Sequence, residues 1–201
     1  MPPPASPAAA VELVPASYVE RLDLAAVFGR TAPVEVDVGC GDGSFLMESA
    51  RRRLGGDFLG LERLLGRVRK CCRKAARLGL GNVRLLRLES GYVVRWLLPP
   101  GSVAVFHVLF PDPWPKRRHQ RRRLVNAEFL AALHAALAPG GEVRFKTDDA
   151  DYFAHIQAVA AAHPGFASAP WTPEPDEALT DFERGFRAHG QEIHRLRLRK
   201  V

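Results

Sequence analysis

Short β-branched runs alternate with segments of helical periodicity along most of this 201-residue chain. Residues 34–39 (Val-Glu-Val-Asp-Val-Gly) follow Pro33 and read as a buried strand. A glycine loop, 39–43, then turns into a helix over 44–54, and 57–61 is the second strand. In 63–78, Leu64, Val68, Cys71, Cys72, Ala75 and Leu78 recur at helical spacing, with Arg63, Arg67, Lys70, Lys74 and Arg77 on the other face. A third strand spans 83–88, a short helix 89–98 and a fourth strand 103–110. A helix over 126–137 ends at Pro139-Gly140-Gly141, and a fifth strand follows at 142–147. An acid-started helix covers 149–163, a proline-rich loop 170–175 and a short helix 181–188. The tail, 191–199, alternates like a strand.

Strand and helix alternating five times specify an α/β fold: a mostly parallel sheet with helices on both faces, and the tail adding an antiparallel C-terminal strand. Ligands in such sheets bind outside the carboxyl ends of the strands. Gly39–Gly43, Glu62, Glu89, Asp112 and Asp148 each follow the end of a predicted strand. One domain is expected over 31–201, after a partly disordered lead-in over 1–30 whose first ten residues lack the basic start and apolar core of a signal peptide.

Composition narrows the partners. Apolar residues at 47% and charged residues at 25% are ordinary for a globular domain, whereas a net charge of +7 favours a polyanion. Three cysteines without Cys-x-x-Cys spacing argue against a disulfide framework or zinc site and suit a reducing cytoplasm. No apolar run reaches membrane-spanning length. The pattern is compatible with a monomer or a homodimer.

The densest chemistry lies in 107–123. Strand four runs into Pro-Asp-Pro-Trp-Pro, carrying Asp112 and Trp114, and then into Lys-Arg-Arg-His-Gln-Arg-Arg-Arg. Prolines stiffen the backbone around Asp112. A rigid carboxylate beside an aromatic plane suits a nucleobase, and the cations suit its phosphates; the plain alternative is a surface turn before a solvated basic segment. The first loop is Gly-x-Gly-x-Gly, with Asp37 before it and Asp42 within it. Carboxylates there would repel a pyrophosphate. An acidic, glycine-lined pocket instead suits a ligand with cationic groups, such as the ammonium and sulfonium of S-adenosylmethionine. Glu62 is placed to accept from ribose hydroxyls and Glu89 from the adenine amine; taken singly, each could equally be a helix cap.

Phe110-Pro-Asp-Pro-Trp-Pro-Lys-Arg-Arg-His-Gln-Arg-Arg-Arg-Leu, then Phe145-Lys-Thr-Asp-Asp, then Thr180-Asp-Phe-Glu resemble the bacterial tRNA (guanine-N7-)-methyltransferase family, from about residue 34 to the C-terminus. The resemblance implies a Rossmann-like fold, S-adenosyl-L-methionine as methyl donor and guanine 46 of the tRNA variable loop as acceptor. It implies cofactor contacts at Asp37, Gly39, Glu62, Glu89 and Asp112, with Asp112 catalytic. It implies substrate contacts at Lys116, Asp148, Thr180, Asp181, Phe182 and Glu183. Asp37 and Glu89 depart from the family pattern, which commonly has Glu and Asp there, so each reaches differently by one methylene. Rival readings are a methyltransferase for another RNA, DNA or protein, a nucleotide-dependent oxidoreductase, and an RNA-binding protein with a decayed cofactor site. The acidic loop disfavours the second, and the intact Asp37, Gly39, Gly41, Glu62 and Asp112 disfavour the third.

Overall fold

Helices flank both faces of one sheet in the computed structural model, which describes residues 10–172 and 177–201. The chain opens with β1 (Glu12–Leu13) and α1 (Leu24–Phe28), followed by β2 (Val34–Val38), α2 (Ser44–Arg52) and β3 (Asp57–Leu61). Next come α3 (Leu65–Arg77), β4 (Val83–Leu86) and α4 (Ser90–Tyr92), which continues as a π-helical turn (Val93–Leu97). Strand β5 (Val103–Leu109), a 3-10 helix (Arg117–Arg122), α5 (Ala127–Ala136) and β6 (Leu137–Thr147) follow. The chain closes with α6 (Ala150–Ala161), β7 (Phe166–Ala169), α7 (Asp181–Ala188) and β8 (His194–Lys200).

The strand order is β1-β4-β3-β2-β5-β6-β8-β7, with the last two strands antiparallel. The reversal of direction between β3 and β5 places a topological switch point at β2. The expected parallel sheet and antiparallel C-terminal strand are both present. Two short strands were not legible in the sequence. β1 pairs with β4 and β7 with β8, so the edges carry elements of two and four residues. Residues 10–30 are thereby partly built into the domain through β1 and α1, while residues 1–9 of the expected lead-in lie outside the described residues. So do residues 173–175 of the expected loop. Strand β6 starts at Leu137, five residues before the predicted start, because Pro139-Gly140-Gly141 is carried within the strand rather than forming a separate turn.

The two cores explain the sequence pattern. One face packs α1, the π turn, α5 and α6, with Val36, Leu59, Leu86 and Phe106 at its centre. The other packs α2 and α3 through Leu46, Met47, Val68, Cys71 and Ala75 onto Phe58, Val83 and Leu85. Leu59 and Phe58, like Leu86 and Leu85, are successive residues serving opposite faces, as the period of two requires. In α3 the buried stripe is Val68, Cys71, Cys72 and Ala75; Leu64 and Leu78, at its ends, are exposed instead of buried. Val38 is level with Leu61, and Leu61 with Leu86. The loops after β2, β3 and β4 therefore leave one edge of the sheet together.

Candidate active site at the carboxyl edge of the sheet

Strand β2 is buried along its whole length yet carries two carboxylates, Glu35 and Asp37, two residues apart and hence on one face. A buried charge requires partners. Glu35 has them: His107 Nε2 lies 2.7 Å from Oε2 and Arg53 Nη1 2.9 Å from Oε1. Burial alone would raise the Glu35 carboxyl, but the His107 hydrogen bond and the Arg53 charge hold it below the ordinary value. Asp37, 3% exposed, accepts no hydrogen bond and forms no ion pair among the described residues. Burial, reinforced by the charges of Asp42 and Glu62, pushes its carboxyl up to about 8. One partnered and one unpartnered acid in the same strand separate structural from ligand-directed chemistry.

The loop after β2 surrounds that unpartnered group. Gly39 has φ 77°, and a Cβ there would meet no atom within 4 Å, so it would project into open space beside the loop. Gly43 has φ 74° and lies so close to Cys71 that a Cβ would fall 2.8 Å from its Sγ. Between them Asp42 accepts from the Ser44 amide at 3.1 Å, supplying the cap that Gly43 lacks at the start of α2. Burial raises the Asp42 carboxyl, but hydrogen bonding by Ser44 and Asp181 and the Lys74 charge leave it lowered. Glu62 is 5% exposed; its Oε1 accepts from the Leu64 amide at 2.9 Å and its Oε2 lies 3.5 Å from Arg67. An acid-rich, glycine-lined cradle with one uncompensated carboxylate fits a cationic donor such as S-adenosylmethionine. Glu89 is exposed and caps α4, accepting from Gly91 and Tyr92 amides at 2.8 and 2.7 Å.

The proline segment leaves the end of β5. Phe110 and Trp114 have φ of 53° and 46°, a left-handed backbone in residues that each precede proline. Such geometry costs about 1–3 kcal/mol per residue and persists only where surroundings impose it. Here α6 imposes it. Arg123, 6% exposed, donates from Nε to the Pro113 carbonyl at 2.8 Å, pairs with Asp151 and stacks 4.8 Å over Tyr152. The Tyr152 hydroxyl accepts from the Val125 amide at 3.1 Å. Arg123 is therefore a clamp, not one of the solvated phosphate-binding arginines that the sequence suggested. Arg117, Arg118, Arg121 and Arg122 remain exposed, as do Asp112 and Lys116. Arg122 covers the Trp114 ring at 5.0 Å, so one face of that indole already has a partner.

The remaining candidates gather around α7. Thr180 is its N-cap, accepting from the Glu183 amide at 2.9 Å. Glu183 is 0% exposed and binds Lys146 at 2.8 Å, Arg187 at 2.7 Å and Arg195 at 3.3 Å. Burial raises its carboxyl, but Lys146 and then Arg187 more than offset this and leave it lowered. The pairs with Lys146 of β6 and Arg195 of β8 tie α7 to the sheet. Asp181 reaches Asp42 of the glycine loop and pairs with Arg184; Phe182, 62% exposed, continues the row Phe110–Phe186–Phe182. Asp148, at the end of β6, accepts weakly from Gln191 at 3.3 Å. Of the residues that hold the site together, Arg123 and Lys146 lie within the motifs that carry the family resemblance but were given no structural role there, and Tyr152 carried no signal beyond belonging to an amphipathic run.

The family described as "Putative methyltransferase" matches residues 31–196. A tRNA (guanine-N(7)-)-methyltransferase of Geobacter metallireducens is 35% identical over 187 residues, covering 89% of this chain and 87% of that one. Its counterpart from Alkalilimnicola ehrlichii is 36% identical over 198 residues, covering 96% and 83%. Among solved structures, the 16S rRNA methyltransferase KamB overlies this chain with a TM-score of 0.64 at 22% identity, covering 90% of this chain and 93% of that one. An rRNA methylase from Streptococcus thermophilus does so with 0.57 at 14%, covering 85% and 87%. The fold is that of a Rossmann-like methyltransferase, and the methyl donor is S-adenosylmethionine. More narrowly, the chain belongs to the tRNA (guanine-N(7)-)-methyltransferase family.

Proposed function

We propose that this protein methylates N7 of guanine 46 in the variable loop of tRNA, and that Asp112 is its catalytic residue. The observation that supports this most is an exposed carboxylate between two left-handed, proline-preceding residues, at the end of the strand paired with the one that runs into the acidic loop. Guanine N7 already presents a lone pair, so no base is needed to create the nucleophile. The demands are alignment of N7 and accommodation of the positive charge that grows on the purine. Asp112 meets both by accepting from guanine N1–H and the exocyclic amine while contributing its negative charge.

S-adenosylmethionine, when bound, supplies an electrophilic methyl group on a sulfonium. Asp37 offers the unpartnered carboxylate for its cationic groups, Glu62 accepts from the ribose hydroxyls, Gly39 leaves room for the ligand and Glu89 accepts from the adenine amine. Lys116, Asp148, Thr180, Asp181 and Phe182 border the substrate, while Glu183 acts from beneath them by fixing α7. No helix among the described residues is long and apolar enough to cross a membrane. The three free cysteines suit the reducing cytoplasm in which tRNA is modified.

Methyl transfer from labelled S-adenosylmethionine to unmodified tRNA, with the product nucleoside identified, tests the reading. N7-methylguanosine mapped to position 46 is expected. Another modified nucleoside, or labelling of protein or DNA instead, would overturn it.

A further inference from the structure

Lys70, Lys74 and Arg77 continue a stripe begun by Arg63 and Arg67, at alternating spacings of four and three residues that keep one cation per turn on a single line of α3. Arg73 lies beside it. Helix α3 contains no acidic residue, although like charges three and four apart destabilise a helix. Lys70, Arg73 and Arg77 are exposed and have no ion-pair partner among the described residues. A packed or merely solvated helix would be more stable with a few glutamates on this line.

The C-terminal part of the stripe, Lys70, Lys74 and Arg77 together with Arg73, forms one wall of a groove of about 830 Å³. Met47, Glu48 and Arg51 of α2 form the opposite wall, and Asp181 and Arg184 of α7 close its upper end beside Asp42. The acidic groups there are already engaged: Glu48 holds Arg51 at 2.9 Å and Arg52 at 2.6 Å, Asp181 pairs with Arg184, and Asp42 caps α2. Lys74 reaches Ser44 at 3.3 Å, linking the stripe to the glycine loop. The floor is thus left with unpaired cations that lead away from the active site along the α2–α3 face. The 3-10 helix that carries the exposed arginines follows β5 instead, and Gln120 within it reaches Asp151 of α6, on the other face of the sheet.

We propose that this groove is a phosphate track that holds the tRNA backbone on the side of the sheet opposite the 3-10 helix. It rests on the reading of the substrate as tRNA and adds where that substrate lies. A folded RNA whose target base enters at the sheet edge presents backbone to both faces at once. Phosphate contacts of this kind position the nucleic acid without reading its sequence.

The test compares wild type, the triple variant Lys70→Ser/Arg73→Ser/Arg77→Ser and the charge-preserving variant Lys70→Arg/Arg73→Lys/Arg77→Lys. Affinity for unmodified tRNA is measured across a salt series, together with cofactor affinity, melting temperature and wild-type methylation. The slope of log affinity against log salt should fall by about 2 in the serine variant, at 0.7–0.9 per lost contact. Cofactor affinity should hold, melting temperature should not drop, and the charge-preserving variant should keep the wild-type slope. An unchanged slope in the serine variant, or an equal fall in the charge-preserving one, would overturn the track while wild-type methylation of tRNA still stands. Absence of tRNA methylation in wild type would overturn the substrate reading and this inference with it.

Discussion

Arg123 donates its Nε–H to the backbone carbonyl of Pro113 at 2.8 Å, a contact that bends the chain back across the base of its own proline turn. The guanidinium also meets Asp151 and Tyr152 of α6, so the turn carrying Asp112 is anchored to the core and not merely stiffened by its prolines. Arg123→Ala is therefore expected to lower stability by about 2 kcal/mol, the loss of hydrogen bonds to a charged donor. Methylation should slow while the salt dependence of tRNA binding stays at its wild-type slope. Denaturant melts and the salt series together check this; a reduced slope with unaltered stability would return Arg123 to the phosphate-binding set.

Arg117, Arg118, Arg121 and Arg122 behave differently because they are exposed, Arg122 lying over the Trp114 ring. Replacing all four with Ser should leave the melting temperature close to wild type and reduce the salt slope by about 3. Binding measured at several salt concentrations decides the matter, and a slope unaffected by four lost charges would make this segment a solvated face.

Glu183 links fold and site. Its folded-state carboxyl is held below its unfolded value, so the stabilisation is present above about pH 4.3 and is lost as pH falls through the folded value. Breaking a buried pair by removing one partner costs about 3–5 kcal/mol. Glu183→Ala should lose less than that at pH 7, because Lys146 keeps Glu177 at 2.8 Å, and the gap to wild type should narrow in acid. Unfolding curves taken from pH 7 downward would show it; a gap that stays constant across the whole acid range would mean the carboxylate's charge is not what matters.

These contrasts mark what sequence could and could not convey. The strand-end acids were legible because strand periodicity and glycine turns are local signals, and Asp37 and Glu62 follow from counting along single strands. Arg123 was hidden in a run of identical arginines, distinguished only by the 28-residue reach to Asp151. Lys146 sits in a strand whose flanking residues would suit a solvent-facing lysine; its burial depends on Glu177 and Glu183, both 2.8 Å away and more than 30 residues later. The left-handed backbone at Phe110 and Trp114 runs against the usual bias before proline, so local rules pointed the other way. β1 and β7 are too short to show a period.

Asp37 sets the pH response of the free protein. With a folded value of about 8, raised by burial and by Asp42 and Glu62, the folded state binds a proton that the unfolded state releases near pH 4. Its contribution is favourable below about pH 4 and is lost as pH rises through 8. Asp37→Asn should thus match wild type in melting temperature only below about pH 4 and exceed it by a growing margin up to about pH 8, while binding S-adenosylmethionine more weakly throughout. Calorimetry should also detect proton release when the wild-type enzyme binds the cationic donor at pH 7. Identical melting profiles for the two proteins would show that Asp37 is satisfied in some other way.

The placement of Asp112 carries the mechanism, and its amide variant separates the possible roles. Asp112→Asn retains an acceptor but offers a donor where guanine also donates, and it removes the negative charge. Overall tRNA affinity should change little, because phosphates supply most of it. The barrier should rise by about 3 kcal/mol or more, a rate loss of roughly a hundredfold. Single-turnover methylation of unmodified tRNA, with enzyme and cofactor saturating, isolates that step. The expected result is a rate about a hundredfold below wild type that stays low as pH is raised. A near-normal rate would remove Asp112 from catalysis, and a rate restored at high pH would contradict its role as a positioning and charge-supporting group by making proton removal the controlling event.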